Sequence, residues 1–460
     1  MAESEKAKRF EVFNGRRIYQ VFIDRFAGHK TEYTDEELRK GFLYGNIKAL
    51  MSKIDYIKSM NFDMIWLTPF YVNQKNGYHG YHPINFNHVD PRFAYGEKPE
   101  DENVGNVFDE NDVKVETGAD LVLKKFVELC HQKNVKIMMD LVPNHCYETH
   151  PFFIDAKNNE NSKYRDWFYF IKNEKKDVKE TKKGRKKKKG VKKSKKNDNT
   201  IELKEEEEEN YGYRHLAFLG FDDLPKLNLE NQDCFNHIIN STKKFLGYGI
   251  DAVRIDHVIG PSKNSIKKLV DTIHQTYPNV PFIMENLPFG VPAKHYETIK
   301  GVDGEILKKF NGININTAKN LDELYLTYVD VVDGALDFSF YSIVDLFLKK
   351  ELTEEQCNKE MEEHFKRYEN NKNFILVKHV DSHDSDRLMY RCHGNMLLFE
   401  KAINILNTKY LGRNDPIVVY YGTEDLMSQE KSIFGEPFGD FRCRLPMYFL
   451  NTFINNIFKK

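Results

Sequence analysis

"GIDAVRIDHV", residues 249 to 258, is an apolar run broken by two charges, Arg254 and Asp256, that stand one residue apart. In an extended strand the side chains alternate between two faces, so these two point the same way and a cation and an anion share one wall. Three apolar runs precede it in the chain, "RIYQVFI", "FDMIWL" and "VKIMMDLV", and four follow it, "PFIME", "GALDFSF", "FILVKHV" and "PIVVYY". The stretches between them carry helical spacing. In "NSIKKLVDTIHQTYPNV" the residues Ile266, Leu269, Val270 and Ile273 fall on one helix face before the next strand, expected from about Val280. Eight strand-plus-helix units predict an α/β fold, a (β/α)8 TIM barrel.

That architecture places catalytic groups at the C-terminal ends of the strands, where the βα loops gather. Asp140 ends "VKIMMD", Asp256 ends "DAVRID", Glu285 ends "PFIME", and His383 with Asp384 follows "FILVKHVDS", so four strand ends converge on one mouth. Cleaving an acetal takes one group to protonate the leaving oxygen and another to meet the developing positive carbon. Any one of these carboxylates alone reads as a loop residue or helix N-cap. Asp256, Glu285 and Asp384 as a set point to glycoside hydrolysis.

A chain of 460 residues that is 40% hydrophobic buries a large core, as one barrel with insertions or as more than one domain. Lys+Arg 69 against Asp+Glu 70 leaves no global field to draw nucleic acid or an anionic membrane. The N-terminal "MAESEKAKRF" lacks the apolar stretch of a secretory signal, and no segment reaches roughly 18 uncharged apolar residues, so a soluble, cytoplasmic protein is expected. The cysteines at 130, 146, 234, 357, 392 and 443 lack paired spacing and read as free thiols. Residues about 175 to 210 hold a lysine block followed by an acidic block with almost no apolar residues, which predicts a disordered excursion. A nucleic-acid arm is the alternative, opposed by glutamates that neutralise the lysines in cis.

Four short stretches, "DLVPNH" (140 to 145), "GIDAVRIDHV", "IMENLPF" and "VDSHDSDR", resemble the conserved regions of the α-amylase family of glycoside hydrolases, and they stand in the family's order. The similarity extends to "IYQVFIDRF", "NFDMIWLTPF", "GYHGYHPINFNHVDPRF", "PIVVYYGTEDLM" and "FRCRLPM". The resemblance implies that Asp256 is the nucleophile forming a glycosyl-enzyme intermediate, Glu285 the acid/base, and Asp384 the third carboxylate that holds sugar hydroxyls. Tyr81 matches the aromatic platform under the reacting sugar, and His145 and His383 match donors to its hydroxyls. Tyr81 as a core residue, or either histidine bonding only backbone, stays open. Arg254 is expected to orient Asp256 and keep it ionised, since a nearby cation lowers a carboxylate pKa, and Asp140 to orient Arg254. The retaining mechanism wants the two carboxyls about 5 Å apart, which neighbouring strands about 4.8 Å apart can supply.

The chemistry requires no cofactor. Asn144 matches a calcium ligand of many relatives, yet the family's Lys-His pair after the nucleophile is here Ile259 and Gly260. The resemblance also implies a barrel of residues 1–145 and 226–460 with a small inserted domain at 146–225, after the third strand. "LPKLN" at 224 to 228 and Ser382 resemble the neopullulanase and cyclomaltodextrinase subgroup, whose members act on maltodextrins with α-1,4 and α-1,6 links. The family's C-terminal β-sandwich has no counterpart after "NTFINNIFKK", which predicts a bare helix face open to a partner or a homodimer, or a truncated chain.

The expected activity is hydrolysis of maltodextrin or glycogen-derived oligosaccharides. Capture of the covalent intermediate by a sugar hydroxyl would instead give a 4-α-glucanotransferase or another transglycosylase. Two readings come from other classes: an inactive binding or scaffold member, and a metal-dependent barrel hydrolase using His79, His82, His145 and His150.

Overall fold

The computed structural model describes residues 2–97, 109, 111–172, 213–286, 317–435 and 439–449. Among these residues twelve strands run β1 (Arg17–Val21), β2 (Met64–Leu67), β3 (Tyr71–Asn73), β4 (Pro83–Val89), β5 (Lys136–Leu141), β6 (Phe170–Lys172), β7 (Tyr213–His215), β8 (Ala252–Ile255), β9 (Phe282–Met284), β10 (Gly334–Asp337), β11 (Ile375–Lys378) and β12 (Ile417–Tyr420). Eight of them close a parallel barrel in the order β1-β12-β11-β10-β9-β8-β5-β2, and each lies in one of the eight apolar runs of the sequence. Strands in such a barrel are covered by side chains inside and by helices outside, so nearly every position is buried and the sequence reads as continuous apolar runs.

The helices that cover the barrel are set by their ends and by one apolar stripe. Helix Lys263–His274 begins where Ser262 Oγ accepts from Ser265 N–H, and it buries Ile266, Leu269, Val270 and Ile273. Helix Gly118–Gln132 opens with a capping box, Thr117 with Asp120, and helix Glu354–Lys366 with another, Thr353 with Gln356. The strand expected at about Val280 starts at Phe282 instead. Val280 N–H already bonds Tyr277 O at 3.2 Å, and Pro281 has no N–H to give a ladder.

Among the described residues two antiparallel strand pairs stand outside the barrel. The β3–β4 pair carries the "GYHGYH" loop, where Gly80 (φ +88°) turns so close to the Pro69 carbonyl that a Cβ would lie 2.1 Å from it. Between β5 and helix Gln232–Leu246 lie helix Pro151–Asn158 and the β6–β7 pair. The charged stretch of about 175 to 210 falls between β6 and β7, outside the described residues. All six cysteines are free and buried. Among the described residues no helix is long and apolar enough to cross a membrane.

Candidate active site

Pairing of β5 with β8 sets Asp140 directly beside Arg254, so a cation and an anion meet across neighbouring strands. Arg254 Nη1 contacts Asp140 Oδ1 at 2.7 Å and Asp256 Oδ1 at 2.8 Å, while Nη2 reaches Glu285 Oε2 at 3.1 Å. One guanidinium therefore holds three strand-end carboxylates. The ladder continues past the strands, with Asp256 N–H on Leu141 O and Glu285 N–H on Ile255 O, which fixes where both side chains leave the backbone. His257 N–H donates to Glu285 Oε2 at 2.8 Å.

A second set of contacts faces this cluster. Tyr81 OH donates to Asp140 Oδ2 at 2.8 Å and lies 2.8 Å from His383 Nε2, with the two rings stacked at 5.5 Å and 7°. Gln20 Nε2 donates to His383 Nδ1 at 2.8 Å, a pattern that assigns the imidazole proton to Nε2. That proton points at Tyr81 and at Asp384 Oδ2, 2.9 Å away. Arg444 Nη2 reaches Asp384 Oδ1 at 2.9 Å, its Nε donates to His383 O at 2.9 Å, and its Nη1 pairs with Asp440.

The sequence-predicted residues Asp140, Asp256, Glu285, Asp384, Tyr81, Arg254 and His383 are thus joined in one network. Tyr81 is half-buried, packed against the edge of the core with its OH in the network. His145 borders the network by its Nε2, which meets the Tyr81 carbonyl at 3.0 Å. Gln20 and Arg444 belong to the site although sequence reasoning passed over them. The signals were a polar residue inside the apolar run "RIYQVFI" and an arginine in "FRCRLPM".

Burial and charge count decide the titration. Burial pushes Glu285 up to about 7, more than Arg254 pulls it down. Asp256 likewise rises to about 7 and Asp140 to about 6 through burial, against the same arginine. Arg254 lowers Asp256, as expected of a nearby cation, but it is shared by three carboxylates and burial outweighs it. Burial also acts on Asp384, yet His383, Arg444 and Arg254 outweigh it and hold this carboxyl well below its usual range.

Among the described residues, the surroundings of Asn144 do not fit a calcium site. Its buried Oδ1 has no hydrogen-bond partner among the described residues, but it is pressed against Gly260, where a Cβ would come within 2.1 Å. Gly260 O already accepts from Lys226 Nζ. A Ca2+ site wants six or more oxygens, and the groups here do not fit one. The four histidines weighed as metal ligands have other partners. His79 accepts from Tyr81 N–H, His82 Nδ1 lies 3.3 Å from Gln74 Nε2, and His150 accepts from Phe152 N–H at the start of a helix. Among the described residues no group of three or more His, Cys, Asp or Glu is placed to share a metal.

Comparison with known proteins identifies the family and the fold. A family model described as alpha amylase, catalytic domain, matches residues 20–123 and 97–444. Alpha-amylase 2 of Dictyoglomus thermophilum is 26% identical over 403 residues, 86% of this chain and 54% of that protein. A cyclomaltodextrinase of Bacillus sp. is 22% identical over 420 residues, 88% of this chain and 58% of that one. The chain thus spans little more than half the length of these relatives. The structure of α-amylase from Geobacillus thermoleovorans in complex with acarbose has the same fold, with TM-score 0.63 and 20% identity over 97% of this chain and 78% of that one.

Proposed function

The chain belongs to the α-amylase family of glycoside hydrolases, and on that premise we propose that it is a retaining hydrolase of α-glucan oligosaccharides. The observation that carries the reading is the single guanidinium of Arg254 touching Asp140, Asp256 and Glu285. Burial raises Glu285 to about 7, so its carboxyl can carry a proton near neutral pH. A carboxyl raised in this way can serve as the acid while Asp256, held by Arg254, serves as the nucleophile.

In the proposed first step Glu285 protonates the glycosidic oxygen while the Asp256 carboxylate attacks the anomeric carbon and the leaving sugar departs. His257 N–H occupies Glu285 Oε2, leaving Oε1 to present the proton. In the second step Glu285 takes a proton from water, and the hydroxide oxygen displaces Asp256 to release the sugar. Asp384, kept anionic by His383 and Arg444, holds sugar hydroxyls and faces the positive charge that develops on the ring. Tyr81 offers its ring face to that sugar.

The substrate class follows the named relatives, alpha-amylase 2 and the cyclomaltodextrinase among them, and "LPKLN" is read with the second. We read maltodextrins with α-1,4 links as the primary substrate and α-1,6 links as the secondary one. Residues 146–225, inserted after β5, are read as one wall of the cleft. On that wall Phe218 lies 4.7 Å from the His145 ring and 4.6 Å from the His257 ring, and Phe221 beside it is 44% exposed. Apolar surface next to the nucleophile favours a second reading, capture of the intermediate by an acceptor sugar in a 4-α-glucanotransferase.

The time course of products from maltoheptaose separates these. Shorter sugars alone, absent with Asp256→Asn, are the expected result. Products longer than the substrate move the assignment to a transferase, and an Asp256→Asn protein with near-normal turnover removes the nucleophile assignment. A wild-type protein that binds maltoheptaose without converting it leaves a scaffold.

A further inference from the structure

Asn144 matches a calcium ligand, yet the cationic group beside it is a side chain. Lys226 is 2% exposed, and its Nζ donates to the carbonyl of Gly260. Its own backbone is tied to the end of β5: Lys226 bridges His145, and Leu227 N–H donates to Asn144 O at 2.9 Å. Gly260 belongs to the turn that follows the proposed nucleophile. Gly260 N–H bonds His257 O at 2.9 Å, His257 N–H holds Glu285 Oε2 at 2.8 Å, and Val258 N–H holds Glu285 O at 3.0 Å.

A buried ammonium is costly unless its donors are used: burial pushes Lys226 down to about 7, and what the charged form meets here is the Gly260 carbonyl and, 5.7 Å from Nζ, the Tyr169 ring. That same carbonyl is the oxygen a metal between Asn144 and this turn would need. A dication added there would lose Gly260 O to the ammonium and be repelled by it at short range.

We propose that Lys226 is a built-in replacement for a divalent cation and a positioning residue: fixed to Gly260 O, it holds the 257–260 turn, and through His257 N–H it holds Glu285. The kinetic half of this statement rests on Glu285 being the proton donor; the cation half does not. A metal can be withdrawn by a chelator, whereas this cation is part of the chain.

The test uses the whole protein and thermal unfolding with either millimolar calcium or a chelator. The wild type is expected to melt at the same temperature in both, and a wild type that calcium stabilises overturns the proposal. Lys226→Met is expected to melt lower and to lose about tenfold in kcat on maltoheptaose with KM nearly unchanged. A variant that melts with the wild type overturns the cation role, and one that melts lower with kcat intact overturns the positioning role. Lys226→Asp, which puts a carboxylate beside Asn144 and Gly260 O, is expected to regain melting temperature and kcat when calcium is added. Calcium that leaves it unimproved overturns the idea of a cation position. If the wild type converts no maltoheptaose, the proposed function fails, while the melting results still decide the cation role.

Discussion

Arg254 at the mouth of the barrel and His364 on helix Glu354–Lys366 are both buried cations set between carboxylates. His364 Nδ1 lies 2.9 Å from Asp322 Oδ1 and its Nε2 2.9 Å from Asp337 Oδ2. Asp322 also takes Arg367 Nη1 at 2.7 Å, so two anions there meet two cations. Under that balance Asp337 is held below its usual range, because His364 outweighs burial, and His364 is raised to about 10 by its two aspartates against burial. Around Arg254 three anions meet one cation, and all three carboxyls rise. The same kinds of group build a fixed ion cluster in one place and a proton-exchanging one in the other, and the difference is the charge count.

Substitutions can break or sharpen that contrast. The largest effect is expected from Asp256→Asn, which should leave the melting temperature near that of the wild type and lower kcat by about four orders of magnitude or more. Next is His364→Leu, which strands two buried aspartates and should cost about 3–5 kcal/mol of stability in denaturant titration, with little change in KM. The wild-type pH dependence gives the sign. The folded pKa of His364, about 10, lies above its ordinary 6.5, so its stabilisation is complete below about 6.5 and is lost as pH rises through about 10. His364→Gln should remove that alkaline loss.

Arg444→Met takes a cation from Asp384 and should lower kcat about 10- to 100-fold, because Asp384 is then less firmly held as an anion. In Asp140→Asn one carboxylate leaves the Arg254 cluster. Asp140 raises Asp256, so its loss should move the acid limb of the kcat/KM profile to lower pH, the direction that brings this cluster closer to the balanced one. Phe221→Ala should have the smallest effect, a few-fold change in the ratio of longer to shorter products with hydrolysis retained.

Much of this contrast was legible in the sequence on one side only. Eight parallel strands announce themselves because burial on both faces leaves unbroken apolar runs, and carboxylates at their ends stand out by position alone. The sharing of Arg254 was not legible, since Asp140 and Arg254 are 114 residues apart and meet only through the β5–β8 register. Gln20 sits within "RIYQVFI" and acts through His383, 363 residues away. Arg444 lies beyond the last strand, and Lys226 in "LPKLN" reads as a subgroup signature until its Nζ is seen on Gly260 O. The cluster at His364 left no pattern to read, because Asp322, Asp337 and His364 belong to different elements with unrelated spacing.

The burial of every thiol has a practical consequence. With Cys130, Cys146, Cys234, Cys357, Cys392 and Cys443 all inside the protein, a thiol reagent has nothing to modify until some part of it opens. Cys443 is the informative one, since its Sγ bonds His383 O and it precedes Arg444. Its labelling rate, read by peptide mass against that of Cys130 on the buried face of helix Gly118–Gln132, clocks how often the segment behind Asp384 lifts away relative to the rest of the barrel.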